Sequence, residues 1–536
     1  MKLNRKILTL LCLVPMAFTT ACSNTGFKHG DPNTDKIDVT MDTRGVTIQM
    51  WTGFGSKISE SLADILEEFE AITGIHVEHE SKGGYPNLLK AINLASTSGK
   101  YPHVANGYPD HFASYVKSNV LLRLDGLIAN DPQRKNYTQN GIDYDAEGMQ
   151  LLDYDDFYTD YTVENETLEY NEEGVGYKLG LPFNKSTEVM VYNSTFFDWV
   201  ATQDSLKSSI YVPKTWAQVK SVGTAVNALF EGHFNTEAGK GHILASDGNF
   251  YSDLTAAQAA KADNKLVFDL TNVEQSKFRA FTYDSTANLF ITLVRQYGAT
   301  FTEVDKTKTG KGYVRFMEGE NRAKTVAAMT MLKDLFDSNI MGIPSMYGEL
   351  YCSTPFKAYQ SLMNVGSSAG LSNSVNTEFK VKCTTIPYND AEGGHKAVIS
   401  QGTSIGLLDK GTDKEKLAAW KLMIYLSQQA NGLFAASTGY YPTCDISYNS
   451  EDYQNYLYTP VKTDTAKLEQ MSANVNNTEY NGETDPWNKF VDPGFRGSAD
   501  IRETVDLVPG YLYTGEKGTA EQTLEFIWST LDMYVE

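Results

Sequence analysis

The sequence predicts an α/β fold built on a parallel sheet, and three observations carry that reading. Val46–Trp51 reads as a strand, the stretch 56–73 as an amphipathic helix, and Ile75–His79 as a second strand. Strand, helix and strand in so short a span open a parallel sheet, with ligands at the C-terminal ends of its strands. Strand-like and helix-like segments then keep alternating along the chain, with no internal sequence repeat. Finally, 536 residues leave room for several domains or two large lobes at roughly 100–200 residues each. Hydrophobic residues make up 41% and charged residues 21%, a globular balance that excludes wholesale disorder and a polytopic membrane protein.

The elements follow in order. Lys2, Arg5 and Lys6 precede an apolar stretch from Ile7 to Phe18, then small residues and Cys22. A basic start, a short apolar middle and a small-residue exit form a secretory signal over residues 1–21. Cys22 after Thr-Thr-Ala resembles the bacterial lipobox, so lipidation at Cys22 and a cell-surface or periplasmic, membrane-anchored location are expected. Residues 22–45 then form the lipidated Cys and a polar tether. In the first helix, Ile58, Leu62, Ile65, Phe69 and Ile72 share one face, Ser56 is the expected cap and Gly74 the stop. Val189–Tyr192 and Val398–Leu408 read as further strands. Thr412 with Glu415 makes a capping box for a helix running to Ala435, and the last helix spans about residues 519–535.

Charge and composition narrow the chemistry. The net charge is −21, and removing the signal deletes three cations and no acids, which leaves −24. Such a surface repels phosphate backbones, so nucleic acid is not an expected partner. Five Cys exclude a disulfide scaffold; Cys352, Cys383 and Cys444 permit one bridge, but their spacing selects no pair. Asp143, Asp145, Glu147 and Gly148 imitate the start of a calcium loop, yet its twelfth position is Tyr154 rather than Glu. His76, Glu78 and His79 divide between two strand faces, so no metal is expected there either. No nucleophile elbow, P-loop or dinucleotide fingerprint is present, and no carboxylate pair stands out for glycoside chemistry, so neither catalysis nor a cofactor is expected.

What stands out is a set of polar-aromatic segments read as loops after strand-like runs: Thr52–Gly55, Gly83–Pro86, Gly107–Asp110, Pro182–Ser186, Gly402–Ser404 and Tyr440–Thr443. Each alone is an ordinary turn. Six in the same topological place offer aromatic faces, backbone donors and hydroxyls to one polar, ring-shaped ligand, and the chain holds 32 Tyr.

The order of these segments resembles the extracellular solute-binding proteins, family 1, of bacterial ABC importers. LADILEEFEAITGIHVEHESKGGYPNLLKAINLASTSGKYPHVANGYPD is similar to that family's opening, and GLPFNKSTEVMVYNSTFF to its crossing into the second lobe. SQGTSIGLL with TGYYPT resembles the return, and FRGSADIRETVD with LYTGEKGTAEQTLE the glycerol-3-phosphate-binding branch. The likeness spans about residues 46–536. It implies a two-lobed periplasmic-binding fold, type II-like, with hinge-linked lobes and a ligand cleft between them. Residues 46–186 with 398–440 would form the N-terminal lobe, and 187–397 with 441–536 the C-terminal lobe. It implies ABC permease subunits as partners, a monomer, and no enzymatic turnover.

Carried over position by position, the resemblance implies ligand contacts at Tyr85, Ser186, Gly402, Tyr441 and Arg496. Phe54, Tyr108, Asp110 and Ser367 complete the candidate set with Asp284 and Asn288, read as one helical face. Departures matter: Pro86 stands where the branch carries Glu, and Ala287 and Phe290 stand where it carries two tryptophans. Asp284 repels phosphate and accepts from a sugar hydroxyl. The expected ligand is therefore a mono- or oligosaccharide, with glycerol phosphate or its diesters as the alternative. A secreted sugar hydrolase and a glycan-binding adhesin are the readings from other classes.

Overall fold

Residues 30–236, 239–308, 310–480 and 486–535 are described by the computed structural model; the signal stretch and Cys22 lie outside them. The opening is Thr47–Thr52 (β1), Ser56–Thr73 (α1) and His76–Ser81 (β2), with β1 and β2 parallel and Thr47 opposite His76. α1 buries Leu62, Ile65 and Phe69 of the expected stripe, and Leu66 beside them, with Ile58 and Ile72 half-buried at its edges. Gly74 ends it in the left-handed conformation, φ 68°. The expected cap is corrected: Gly55 is the N-cap and Ser56 is already the first helical residue, with no side chain capping that end. Tyr85–Ser96 (α2), Val104–Gly107 (β3) and Pro109–Lys117 (α3) follow, and β3 pairs in parallel with β1.

Next comes Leu181–Asn193 (β4), thirteen residues long and buried over nearly its whole length. Arg279–Tyr283 (β5), Thr286–Gln296 (α4), Met341–Gly342 (β6), Ser361–Ser367 (β7) and Val381–Thr384 (β8) succeed it. Ala397–Leu407 (β9), Asp413–Ile424 (α5), Asn431–Thr438 (α6), Asn488–Phe490 (β10), Ser498–Val505 (α7) and Ala520–Ser529 (α8) complete the frame. The strands make one curled sheet in the order β6-β5-β7-β4-β9-β3-β1-β2, with β8 on β4 and β10 on β9. β4 and β9 are the continuous members. Residues 181–187 of β4 pair with β9, whereas 188–192 pair with β7, so one strand serves both halves of the sheet.

Two of the expected loops, Pro182–Ser186 and Gly402–Ser404, therefore lie inside these long strands. Gly402 carries φ 97°, and a Cβ there would sit 1.8 Å from the Asn184 carbonyl oxygen. Only glycine lets the two crossing strands approach this closely. The capping box of Thr412 and Glu415 forms as expected, but the helix it starts ends at Ile424 in a π-helical turn, Tyr425–Gln429, before α6. The last helix stops at Ser529.

Each half has its own core. Ile48, Met50, Phe69, Phe183 and Trp420 anchor one. Phe281, Tyr283, Phe290, Leu332 and Leu524 anchor the other. The calcium-like stretch is committed to cations of the chain: Asp145 pairs with Arg134 at 2.6 Å, Glu147 with Lys421 at 2.7 Å and Asp143 with Lys135 at 2.7 Å. Cys352, Cys383 and Cys444 are buried free thiols. Among the described residues, no helix is long and apolar enough to cross a membrane.

Candidate functional site

Strand periodicity puts Asn184, Ser186 and Glu188 of β4 on one face. Asn184 Nδ2 donates to the Tyr85 hydroxyl at 3.1 Å, and Ser186 meets Ser367 Oγ at 3.4 Å. Glu188 is buried and takes three donors: the Tyr283 hydroxyl, Asn288 Nδ2 at 2.8 Å and Gln401 Nε2 at 3.3 Å. Burial outweighs those donors and pushes its carboxyl up to about 7; the more distant Arg502 guanidinium opposes the shift and Asp284 adds to it.

Asp284 stands at the end of β5, before α4 rather than on it; Ser285 caps that helix by accepting from the Asn288 amide at 3.2 Å. Its Oδ1 accepts from the Cys352 amide at 2.6 Å and from Asn364 Nδ2 at 3.3 Å. A Cβ on Gly366 would come within 2.4 Å of Oδ2, so glycine is what admits the carboxyl here. Burial pushes Asp284 up to about 6. Asn288 bonds both ways, donating to Glu188 and accepting from Arg502 on α7. Of these groups, Glu188, Asp284, Asn364, Ser367 and Gln401 line a cavity of about 660 Å³ together with the exposed Tyr351.

An aromatic cluster lies beyond that lining, next to Asn184. Tyr85 and Tyr108 stand edge to face at 4.9 Å, and Tyr440 lies against Tyr85 and Asn184. Burial pushes all three phenols up, with Tyr440 the next largest influence on both Tyr85 and Tyr108. Arg502 acts on Tyr108, and Tyr351 on Tyr108 and Tyr440, which brings the aromatic cluster within electrostatic reach of the cavity's rim. The approach is close at Gly494, where a Cβ would lie 2.8 Å from the Pro109 carbonyl oxygen at the start of α3.

The remaining candidates are placed elsewhere. Phe54 is in the core against Phe183 and Phe434. Asp110 accepts from the neighbouring His111 amide at 2.8 Å in the first turn of α3. Tyr441 points to a separate cavity with Tyr161 and Lys489, and its hydroxyl lies 2.7 Å from Ser472 Oγ. Arg496 is exposed beside Gly310. Sequence reasoning missed Glu188, Tyr440 and Arg502. Period-two counting from Ser186 points to the first, the second is the partner of an adjacent pair, and the third sits six residues further along the same terminal motif. The lysine of Pro-Phe-Asn-Lys-Ser, Lys185, is fully buried and paired with Glu164.

Residues 64–460 match the family model described as bacterial extracellular solute-binding protein. No curated protein matches the chain. Among solved structures, the GacH receptor of Streptomyces glaucescens, solved with acarbose, aligns at TM-score 0.58 and 13% identity, over 91% of this chain and 98% of that one. UgpB from Mycobacterium tuberculosis, in complex with glycerophosphocholine, aligns at 0.61 and 14%, over 91% and 98%. An ABC substrate-binding protein from Listeria monocytogenes, in complex with cycloalternan, aligns at 0.61 and 15%, over 92% and 100%. At such identities the likeness establishes the two-lobed fold and not the ligand.

Proposed function

The chain belongs to the bacterial extracellular solute-binding proteins, and from that premise we propose that it captures a mono- or oligosaccharide outside the cell and delivers it to an ABC permease. The observation that carries this reading is the cavity at the crossing strands, lined by hydroxyl, amide and carboxylate groups, with the Tyr85, Tyr108 and Tyr440 cluster near it. Sugar C–H faces stack on rings while the hydroxyls satisfy buried polar groups. Asp284, Asn288, Ser186, Ser367, Tyr85 and Tyr108 are the proposed contacts, joined by Glu188, Gln401, Tyr440 and Arg502. Residues 46–186 with 398–440 and residues 187–397 with 441–536 are the proposed lobes, which close about β4 and β9 as a monomer, without turnover. A lipid on Cys22 is proposed to hold the protein at the membrane.

A glycerol phosphodiester is the second reading, favoured by Arg502, whose guanidinium donates to Asn288 and acts on Tyr108. Thermal unfolding against saccharides and glycerol phosphodiesters tests both. A ligand at ~100 times its dissociation constant adds ~2.7 kcal/mol of stability. Saccharide stabilisation together with a smaller radius of gyration in small-angle scattering is expected. Stabilisation by phosphodiesters alone overturns the carbohydrate reading.

A further inference from the structure

Of the stretch expected as a tether, residues 30–45 lie against the first half of the molecule. The Gly30 amide donates to Asp409 Oδ2 at 2.6 Å, and the Arg123 amide to the Pro32 carbonyl at 2.8 Å. Buried Thr34 donates to the Arg123 carbonyl at 2.6 Å and accepts from the Leu127 amide at 3.1 Å. Asn130 Nδ2 donates to the Asp35 carbonyl at 3.1 Å, and a Cβ on Gly126 would sit 2.2 Å from the Asp35 nitrogen. Ile37 and Val39 then join the core that holds Ile48 and Phe69. Backbone hydrogen bonds, a buried hydroxyl and two core side chains make this segment a strap of the folded body.

The sheet decides where the strap begins. Ser404 of β9 is opposite Gly107, at the end of β3 that leads into Tyr108 and the aromatic cluster. Leu407 is opposite Val104, at the other end of β3. Asp409, which holds Gly30, lies beyond Leu407, about 15 Å past Ser404 at ~3.3 Å per residue. The strap therefore starts at the end of the first half remote from the cavity.

Eight residues separate Gly30 from Cys22. A chain of that length spans at most ~28 Å, whatever its conformation. To put the cavity end on the bilayer, the chain would have to run back along those ~15 Å of strand and then past α3, a helix about 10 Å across, so it would be almost fully extended. With the strap end on the bilayer, no such extension is needed, and the conformational cost of straightening the chain is avoided. We propose that the strap end of the first half, around Gly30, Lys36 and Asp409, is the surface that faces the lipid bilayer, and that the short leash holds the cavity end outward. This inference rests on the proposed lipid at Cys22 and adds to it which face of the protein meets the membrane. Release of the strap as far as Val46 would lengthen the leash to a reach of ~80 Å, enough to turn the cavity toward a permease in the same bilayer.

The experiment is fluorescence energy transfer on the full mature chain, lipidated at Cys22 and reconstituted in vesicles that carry an acceptor-labelled lipid. A thiol dye is placed through Lys36→Cys on the strap or through Asn87→Cys in the first turn of α2, at the cavity end; both positions are exposed. Cys352, Cys383 and Cys444 are buried and do not compete for the dye. Transfer from position 36 is expected to exceed that from position 87 by about twofold or more, and insertion of about twenty Gly/Ser residues after Asn24 to abolish the difference. Equal transfer from the two positions without the insertion overturns the inference. A difference that survives the insertion also overturns it, because adhesion of that face and not the leash would then set the orientation. Mass spectrometry of the membrane fraction reads the lipid on Cys22 separately: if none is present, the anchoring reading falls, and this inference with it.

Discussion

Glu188→Gln is expected to remove a pH-dependent loss of stability. Glu188 is raised from an ordinary value of 4.5 to about 7, mainly by burial, against the pull of the Tyr283 hydroxyl, the Asn288 amide and the distant Arg502 guanidinium. The folded protein thus keeps a proton that the unfolded chain releases. Stability from this group is fully present below pH 4.5, falls as pH rises through the window from 4.5 to 7, and is gone above it. A gap of between two and three pH units, at ~1.4 kcal/mol each, gives about 3 kcal/mol. Glutamine keeps the shape and the oxygen that accepts from Asn288 and Gln401, and puts an amide where the other oxygen accepts from Tyr283, so the substitution removes the charge and exchanges one hydrogen bond. Urea unfolding at pH 5 and pH 8 makes the measurement. The parent should lose about 2.5 kcal/mol more over that interval than the variant, with part of the effect shared with Asp284. Equal pH dependence in the two proteins would refute the reasoning, since a solvated or ion-paired Glu188 has no such gap.

Further expectations follow from the same geometry. Gly402→Ala should lose about 3 kcal/mol or more in urea unfolding, because φ 97° strains alanine and its Cβ would meet the Asn184 carbonyl at 1.8 Å. Tyr440→Ala should weaken binding of the identified ligand roughly tenfold in calorimetry, whereas Tyr441→Phe, which removes only the bond to Ser472, should leave affinity within twofold. Glu164→Gln leaves Lys185 buried without its partner, a loss of about 3–5 kcal/mol at pH 6. Since burial holds the Lys185 ammonium well below its usual value, that loss should shrink as pH rises and the amine sheds its proton, which unfolding across pH 6 to 9 reads directly. Cys22→Ser should move the protein from the membrane to the soluble fraction after cell fractionation, with its unfolding curve unchanged.

Local pattern was enough for much of this protein. The α1 stripe, the αL glycine at 74 and the capping box of Thr412 and Glu415 depend on neighbours within a few residues, and all are readable before folding. The order of six polar-aromatic segments likewise pointed to a two-lobed solute-binding fold. Where competing local signals existed, the structure chose between them. Gly55 took the cap from Ser56, and a π-helical turn divided the expected long helix. Pro182–Ser186 and Gly402–Ser404 became strand because β4 and β9 pair with each other along both segments.

What only the tertiary structure decided is which members of each motif share a space. Tyr440 rather than Tyr441 meets Tyr85, because adjacent residues on an extended crossing point to opposite sides. Arg502 rather than Arg496 reaches Asn288, because α7 turns one toward the crossing strands and leaves the other beside Gly310. Glu188 carries no motif at all. Its environment is made by Tyr283, Asn288 and Gln401, residues 95 to 213 positions away. Period and capping are set by the covalent chain, so the sequence alone determined the opening β1-α1-β2 order, the α1 stripe and the Thr412 capping box. Burial, charge pairing and the cavity are set by segments that meet only when the sheet closes, so the site belongs to the fold.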